Sequence, residues 1–114
     1  MLRFFEESEF DCQETGENRM DMDFLLKLDA LRAECGFPFR ITSGYRSESH
    51  SIEARKEKPG QHTRGIACDI AVDNGAQRMI LVQKALEAGF TGVGIHKSFT
   101  HLDTRDSTPV MWVY

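Results

Sequence analysis

Two glycine-bounded segments, GQHTRGIACDIAV at 60–72 and GVGIHKSFTHLDTR at 92–105, constrain this chain more than any other feature. The first reads as a strand at Ile66–Val72, the second as two strands, Gly92–His96 and Phe99–Thr104, joined through Lys97-Ser98 as a hairpin. His62 precedes the first strand, Asp69 lies inside it, and His101 lies on a different strand, so the three can converge on one face of a sheet. Two imidazoles and a carboxylate are the N and O donors zinc takes at about 2.0–2.2 Å, and three protein ligands leave a fourth tetrahedral position open for water. That open position separates a catalytic zinc from a closed structural one, and it points to a zinc hydrolase. Taken singly, His62 reads as a loop histidine, Asp69 as a turn anchor and His101 as a satisfied sheet histidine. Taken together, with Gly65 and Gly94 close by, they read as metal ligands.

The neighbouring residues extend this pattern. Asp103 is two positions beyond His101, so on a strand the two share a face. It is a candidate either to orient the ligand imidazole or to act as general base. His96 is a hairpin histidine by the plain reading, and a proton carrier or oxyanion stabiliser by the functional one. Arg46, after the Ser43-Gly44-Tyr45 turn, can clamp a carboxylate through two parallel hydrogen bonds. Tyr45 is read as packing beneath the site or binding substrate. Arg64 and Arg105 are further cations that suit an anionic substrate, and His50 is read as solvent-facing.

With 114 residues the chain is expected to form one domain, 1–114, and 40% apolar with 28% charged residues is an ordinary globular composition. A net charge of −4 argues against a nucleic-acid binder, and the densest basic stretch, Arg55-Lys56-Glu57-Lys58, is broken by an acid. Three cysteines, Cys12, Cys35 and Cys68, are odd in number and form no CxxC pair, so reduced thiols are expected. Cys68 should point to the face opposite Asp69, as buried filler. MLRFFEESEF lacks the apolar core of a signal peptide and no run approaches a membrane span, so cytoplasmic synthesis and a monomer are expected.

Phe4, Phe5 and Phe10 are expected to pin a polar N-terminal segment, with a loop over Asp11–Arg19. Apolar residues at Met20, Phe24, Leu25, Leu28, Leu31 and Cys35 predict an amphipathic helix closed by Gly36. Phe39–Tyr45 reads as a strand, Glu48–Lys58 as a polar helix ending at Pro59-Gly60, and Ala76–Ala88 as a helix after an Asn74-Gly75 turn. The tail PVMWVY reads as a last strand or a packed end. The order predicts an α+β domain with a small, mainly antiparallel sheet flanked by helices.

Three motifs together, ITSGYRS, H-x-x-G-x-A-x-D from His62 to Asp69, and GVGI…FTHLDTR, resemble the D-alanyl-D-alanine metallopeptidase family over Phe37 to Arg105. That family comprises zinc carboxypeptidases, dipeptidases and phage endolysins, and shares its fold with hedgehog and lysostaphin-type domains. The resemblance implies that His62, Asp69 and His101 bind Zn2+, that Arg46 binds a substrate carboxylate or carbonyl, and that His96 matches a site histidine of some carboxypeptidases. It implies hydrolysis of peptidoglycan stem peptides beside a D-amino acid, as a D,D-carboxypeptidase or an endopeptidase. A phage virion or lysis protein, or an intracellular recycling enzyme, fits so short a chain. One departure stands out: several members carry an acidic base three residues before the last zinc histidine, and Ser98 occupies that position here. It keeps open a second reading, a non-enzymatic zinc-stabilised module that binds wall peptides or a partner protein.

Overall fold

The computed structural model describes residues 2–56, 58 and 60–114. Helix α1, Met22–Cys35, starts where the Asp21 side chain accepts a hydrogen bond from Phe24 N at 2.9 Å. That cap satisfies a donor the first turn would otherwise leave open, and it places the start two residues later than the apolar spacing suggests. Gly36, at φ 78°, ends the helix in the left-handed conformation that a side chain disfavours. Helix α2, Gly75–Glu87, is capped the same way by Asn74, which accepts from Gln77 N at 2.8 Å.

Five strands form one sheet: β1 Ile41–Ser43, β2 Ala67–Ala71, β3 Gly92–Ile95, β4 Phe99–Asp103 and β5 Val110–Val113, in the order β1-β2-β4-β3-β5. The pairs β1/β2, β2/β4 and β3/β4 are antiparallel, whereas β3/β5 is parallel. The sheet is therefore mixed, which corrects the mainly antiparallel expectation. Gly92 pairs with both Asp103 and Val110, so β4 ends and β5 starts at the same end of β3. The link 104–109 steps across that end and leaves β5 running with β3.

Alternation sorts the sheet into two faces. Cys68 and Ile70 of β2, Leu102 of β4 and Val93 of β3 join Phe24, Leu25, Leu28 and Leu31 of α1 and Leu81 and Ala85 of α2 in the core. Each fully buried Leu or Phe there contributes about 2 kcal/mol of apolar burial. Cys68 is filler on the core face, as expected, and all three cysteines are free. Phe5 and Phe10 enter the same core, but Phe4 does not. It is exposed, with the Arg3 and Arg32 guanidinium carbons 5.2 and 5.4 Å from its ring. The buried Asp29 carboxylate ties this segment down by accepting from Arg3 N and from Phe4 N at 2.9 Å.

The helix expected over Glu48–Lys58 is not there: turns lead to one 3-10 turn, Glu53–Arg55. The stretch has no apolar stripe to bury a helix, and its polar groups find closer partners. Glu14 accepts from Ser51 N and Ser51 Oγ, at 3.1 and 2.6 Å. The part of the expectation at Glu57 and Pro59 lies outside the described residues. Among the described residues, no helix is long and apolar enough to cross a membrane.

Candidate metal centre

The face of the sheet away from the helices carries a cross-strand row. Ser43 pairs with Asp69, Asp69 with His101, His101 with Gly94, and Gly94 with Trp112. Neighbours in such a row lie within about 5.5 Å at Cβ, so side chains of opposite type meet. Asp69 Oδ1 is 3.1 Å from His101 Nδ1 and 3.4 Å from His62 Nε2. His62 arrives from the turn before β2. Gly65 within that turn has φ 76°, and any Cβ there would strike the Arg19 carbonyl oxygen. The glycine of the H-x-x-G pattern is therefore needed to pack this turn on the chain before α1.

Each histidine is held by the nitrogen that faces away from Asp69. His62 Nδ1 is 2.7 Å from the Gly44 carbonyl oxygen, to which it donates. His101 Nε2 is 2.7 Å from Asp103 Oδ2. These contacts aim His62 Nε2 and His101 Nδ1 at one point beside Asp69 Oδ1. The three buried residues offer donor atoms all within 4.8 Å of one another. Two donors each about 2.05 Å from a tetrahedral ion stand about 3.3 Å apart. The separations of 3.1 and 3.4 Å match that edge, so the residues present fit a zinc ion.

The electrostatics agree. Burial works against a charge on Asp69, but hydrogen bonds from His101 and His62 outweigh it and hold the carboxyl well below the usual carboxylate range. Burial likewise opposes a proton on His101, yet Asp103 and Asp69 raise its pKa above that of a free imidazole. An imidazole with a carboxylate at each nitrogen calls for positive charge, which a proton or a metal ion supplies.

Asp103 is fully buried behind His101. Both its oxygens are occupied: Arg105 Nε donates to Oδ1 at 2.9 Å, and Arg105 Nη2 donates to Oδ2 at 2.6 Å. Burial opposes the charge, and the bonds from Arg105 and His101 keep the carboxyl well below its ordinary range. Asp103 is therefore placed to orient His101.

A cavity of about 500 Å³ opens over the cluster, lined by His62, Asp69 and His101 and walled by Arg46, Arg105 and Trp112 among others. Arg46 is 18% exposed at its side chain, with Nη2 3.8 Å from Asp69 Oδ2 and Nη1 3.7 Å from Glu53 Oε2. Those are ion-pair distances longer than hydrogen bonds, so its guanidinium donors remain available to a ligand.

A family model described as Peptidase M15 matches residues 3–103. The chain belongs to this family. It is the family that includes the D-Ala-D-Ala metallopeptidases. No curated protein matches the sequence.

In this M15 chain the remaining expected site residues scatter. His96 sits at the hairpin turn, half-buried, with its ring stacked 4.4 Å from that of Phe99, which lines the cavity; His96 itself does not. Its Nδ1 accepts from Ser98 N at 3.1 Å, so a neutral ring carries its proton on Nε2. Ser98 is exposed, with Oγ 3.0 Å from the same nitrogen. Tyr45 is buried and borders a different hollow with Glu17, Arg19 and Ser47, away from the cluster. Arg64 is exposed and donates to Gln61 Oε1 at 3.0 Å. His50 is not solvent-facing: its Nε2 lies 3.2 Å from Glu14 and its side chain is 12% exposed.

Three residues at the site escape a reading of motifs. Glu53 is buried and accepts from Lys56 Nζ at 2.7 Å, Thr63 Oγ1 at 2.8 Å and Gly60 N at 3.0 Å. It gathers the loop that carries His62. Trp112 and Tyr114 wall the cavity from β5. The Trp112 ring reaches 5.0 Å from that of His101 because it leans over Gly94, where a Cβ would lie 2.7 Å from the indole. The signals available were the glycine at 94 and an aromatic pair in an apolar tail.

Proposed function

We propose that this chain is a zinc-dependent peptidase that hydrolyses an amide bond of peptidoglycan stem peptides beside a D-amino acid. The observation that carries the reading is the donor triangle of His62 Nε2, Asp69 Oδ1 and His101 Nδ1, open to the cavity, with both edges at Asp69 matched to a tetrahedral ion. Zinc held there supplies Lewis acidity to the peptide carbonyl and a lowered pKa for the attacking water. Arg46, at the rim with unspent donors, binds a carboxylate or carbonyl of the substrate and fixes it across the cluster. Asp103 keeps His101 turned so that Nδ1 faces the cavity. With Asp103 enclosed and Ser98 where several family members carry an acidic base, His96 is the proton carrier in this reading, acting through a water from behind the Phe99 ring rather than from the cavity lining.

A second reading, a zinc-stabilised module that binds stem peptides without cutting them, is favoured by one observation. Among the described residues, no Asp or Glu side chain lines the cavity except Asp69 itself. Turnover separates the two. Zinc-loaded protein incubated with purified peptidoglycan should release defined fragments by mass spectrometry, and a chelator or His62→Ala should abolish the release. Cleavage by His62→Ala at the unmodified rate would remove the site assignment. Intact peptidoglycan at full zinc occupancy would select the binding module.

A further inference from the structure

Arg46 and Arg105 stand on opposite sides of the cluster. Arg46 meets Asp69 on β2, the strand next to β1. Arg105 follows β4 and lies toward β5, with its guanidinium carbon 5.1 Å from the centre of the Trp112 ring. Its Nε and Nη2 are committed to Asp103, while Nη1 makes no hydrogen bond to the described residues. This guanidinium is thus pinned in place by a buried carboxylate and an indole face, with one edge left over in the cavity wall. A group already ordered loses little entropy on binding, so that edge is a pre-organised anion site.

The lining of the cavity points the same way. The chain as a whole is acidic, at −4. Its cavity is nevertheless lined by Arg46, Lys56 and Arg105 against one acid, Asp69, which the cluster consumes. Lys56 is offset by Glu53, at 2.7 Å. Arg105 is likewise paired with the buried Asp103, and Arg46 lies beside Asp69 and Glu53, so what the wall offers a ligand is guanidinium donors, one set on each side of the cluster. A ligand with one carboxylate uses one of them.

We propose that Arg105 and Trp112 form a second subsite, which takes the carboxylate of an acidic residue adjoining the scissile amide while its aliphatic part packs on the indole. The preferred substrate is then a short peptide with anionic groups on both sides of the bond that is cut. The inference deepens the peptidase reading above and rests on it.

Trp112 is the only tryptophan of the chain, so intrinsic fluorescence reports on this subsite directly. The zinc-loaded protein is mixed with N-acetyl-L-Ala-D-Glu-L-Lys or with its D-Gln counterpart. Fluorescence in the first seconds gives the affinity, and product release gives the rate. The D-Glu peptide should bind at least tenfold more tightly. Arg105→Gln should erase that difference, with zinc content measured alongside, because loss of His101 support alone would weaken both peptides equally. Equal affinity of the unmodified protein for the two peptides overturns the proposal whether or not the variant folds, as does a tenfold preference kept in Arg105→Gln. Discrimination without cleavage leaves the subsite standing and removes the peptidase reading. Cleavage of both peptides at one rate, with equal affinity, does the reverse.

Discussion

Asp103 touches no part of the cavity, yet it governs the direction of a residue that does. Its Oδ2 takes His101 Nε2 at 2.7 Å and leaves Nδ1 turned toward Asp69. Removing such a partner typically costs 10- to 100-fold in metal affinity. Asp103→Asn should therefore weaken zinc binding by roughly 10- to 100-fold, measured by competition with a chromogenic chelator, with the far-ultraviolet circular dichroism unchanged. An unaltered zinc affinity would show that His101 is oriented by its packing alone. At this scale the cluster of His62, Asp69 and His101 was legible because H-x-x-G-x-A-x-D and the later His101 are close-range patterns of chemically unusual residues. Glu53 and Trp112 were not. A glutamate between arginines and lysines looks like surface charge until Gly60 N and Thr63 fold back onto it. A tryptophan in an apolar tail looks like core until β5 pairs with β3 and sets it opposite Gly94.

Among the elements, β4 shows what alternation settles and what it leaves open. Thr100 and Leu102 turn to the core, while His101 and Asp103 turn to the cluster. Thr100 is fully buried, and its Oγ1 is the one buried side-chain polar atom without a hydrogen bond among the described residues. An unpaired buried hydroxyl costs about 1 kcal/mol or more, and valine keeps the shape while suiting a strand. Thr100→Val should raise the urea midpoint by an amount equal to about 1 kcal/mol at constant slope. A lower midpoint would mean that the hydroxyl has a partner, such as a buried water. The strands and both helices were readable from period and punctuation. The direction of β5 was not, because nothing within PVMWVY says on which side of β3 it will pair. The false helix over 48–58 had only polarity behind it, and polarity is shared by helices and by loops held through side chains.

For the molecule as a whole, acid sensitivity should trace in part to Glu53, together with Asp69 and Asp103, whose carboxyls are also held below their ordinary range. Burial raises the Glu53 pKa, but the hydrogen bonds from Lys56, Gly60 N and Thr63 prevail and bring it from 4.5 down to about 2. A folded pKa below the unfolded one adds stability that is fully present above pH 4.5 and is lost as the pH falls toward 2. A shift of this size corresponds to about 3 kcal/mol. Between pH 6 and pH 3 the unmodified protein should therefore lose more unfolding free energy than Glu53→Gln does, read from urea titrations at both values. Parallel losses would place the acid sensitivity elsewhere.

The two faces of the sheet divide the molecule's tasks, with apolar burial on one and the His62, Asp69 and His101 cluster on the other. Substitutions that reshape the cavity wall can consequently be exchanged with little disturbance of the core, and core repairs leave the wall alone. Length is another matter. Deleting a single residue within β4 would shift its reading frame by one, handing His101 to the helices and Leu102 to the cavity. The strand is permissive to spelling changes and intolerant of a missing letter.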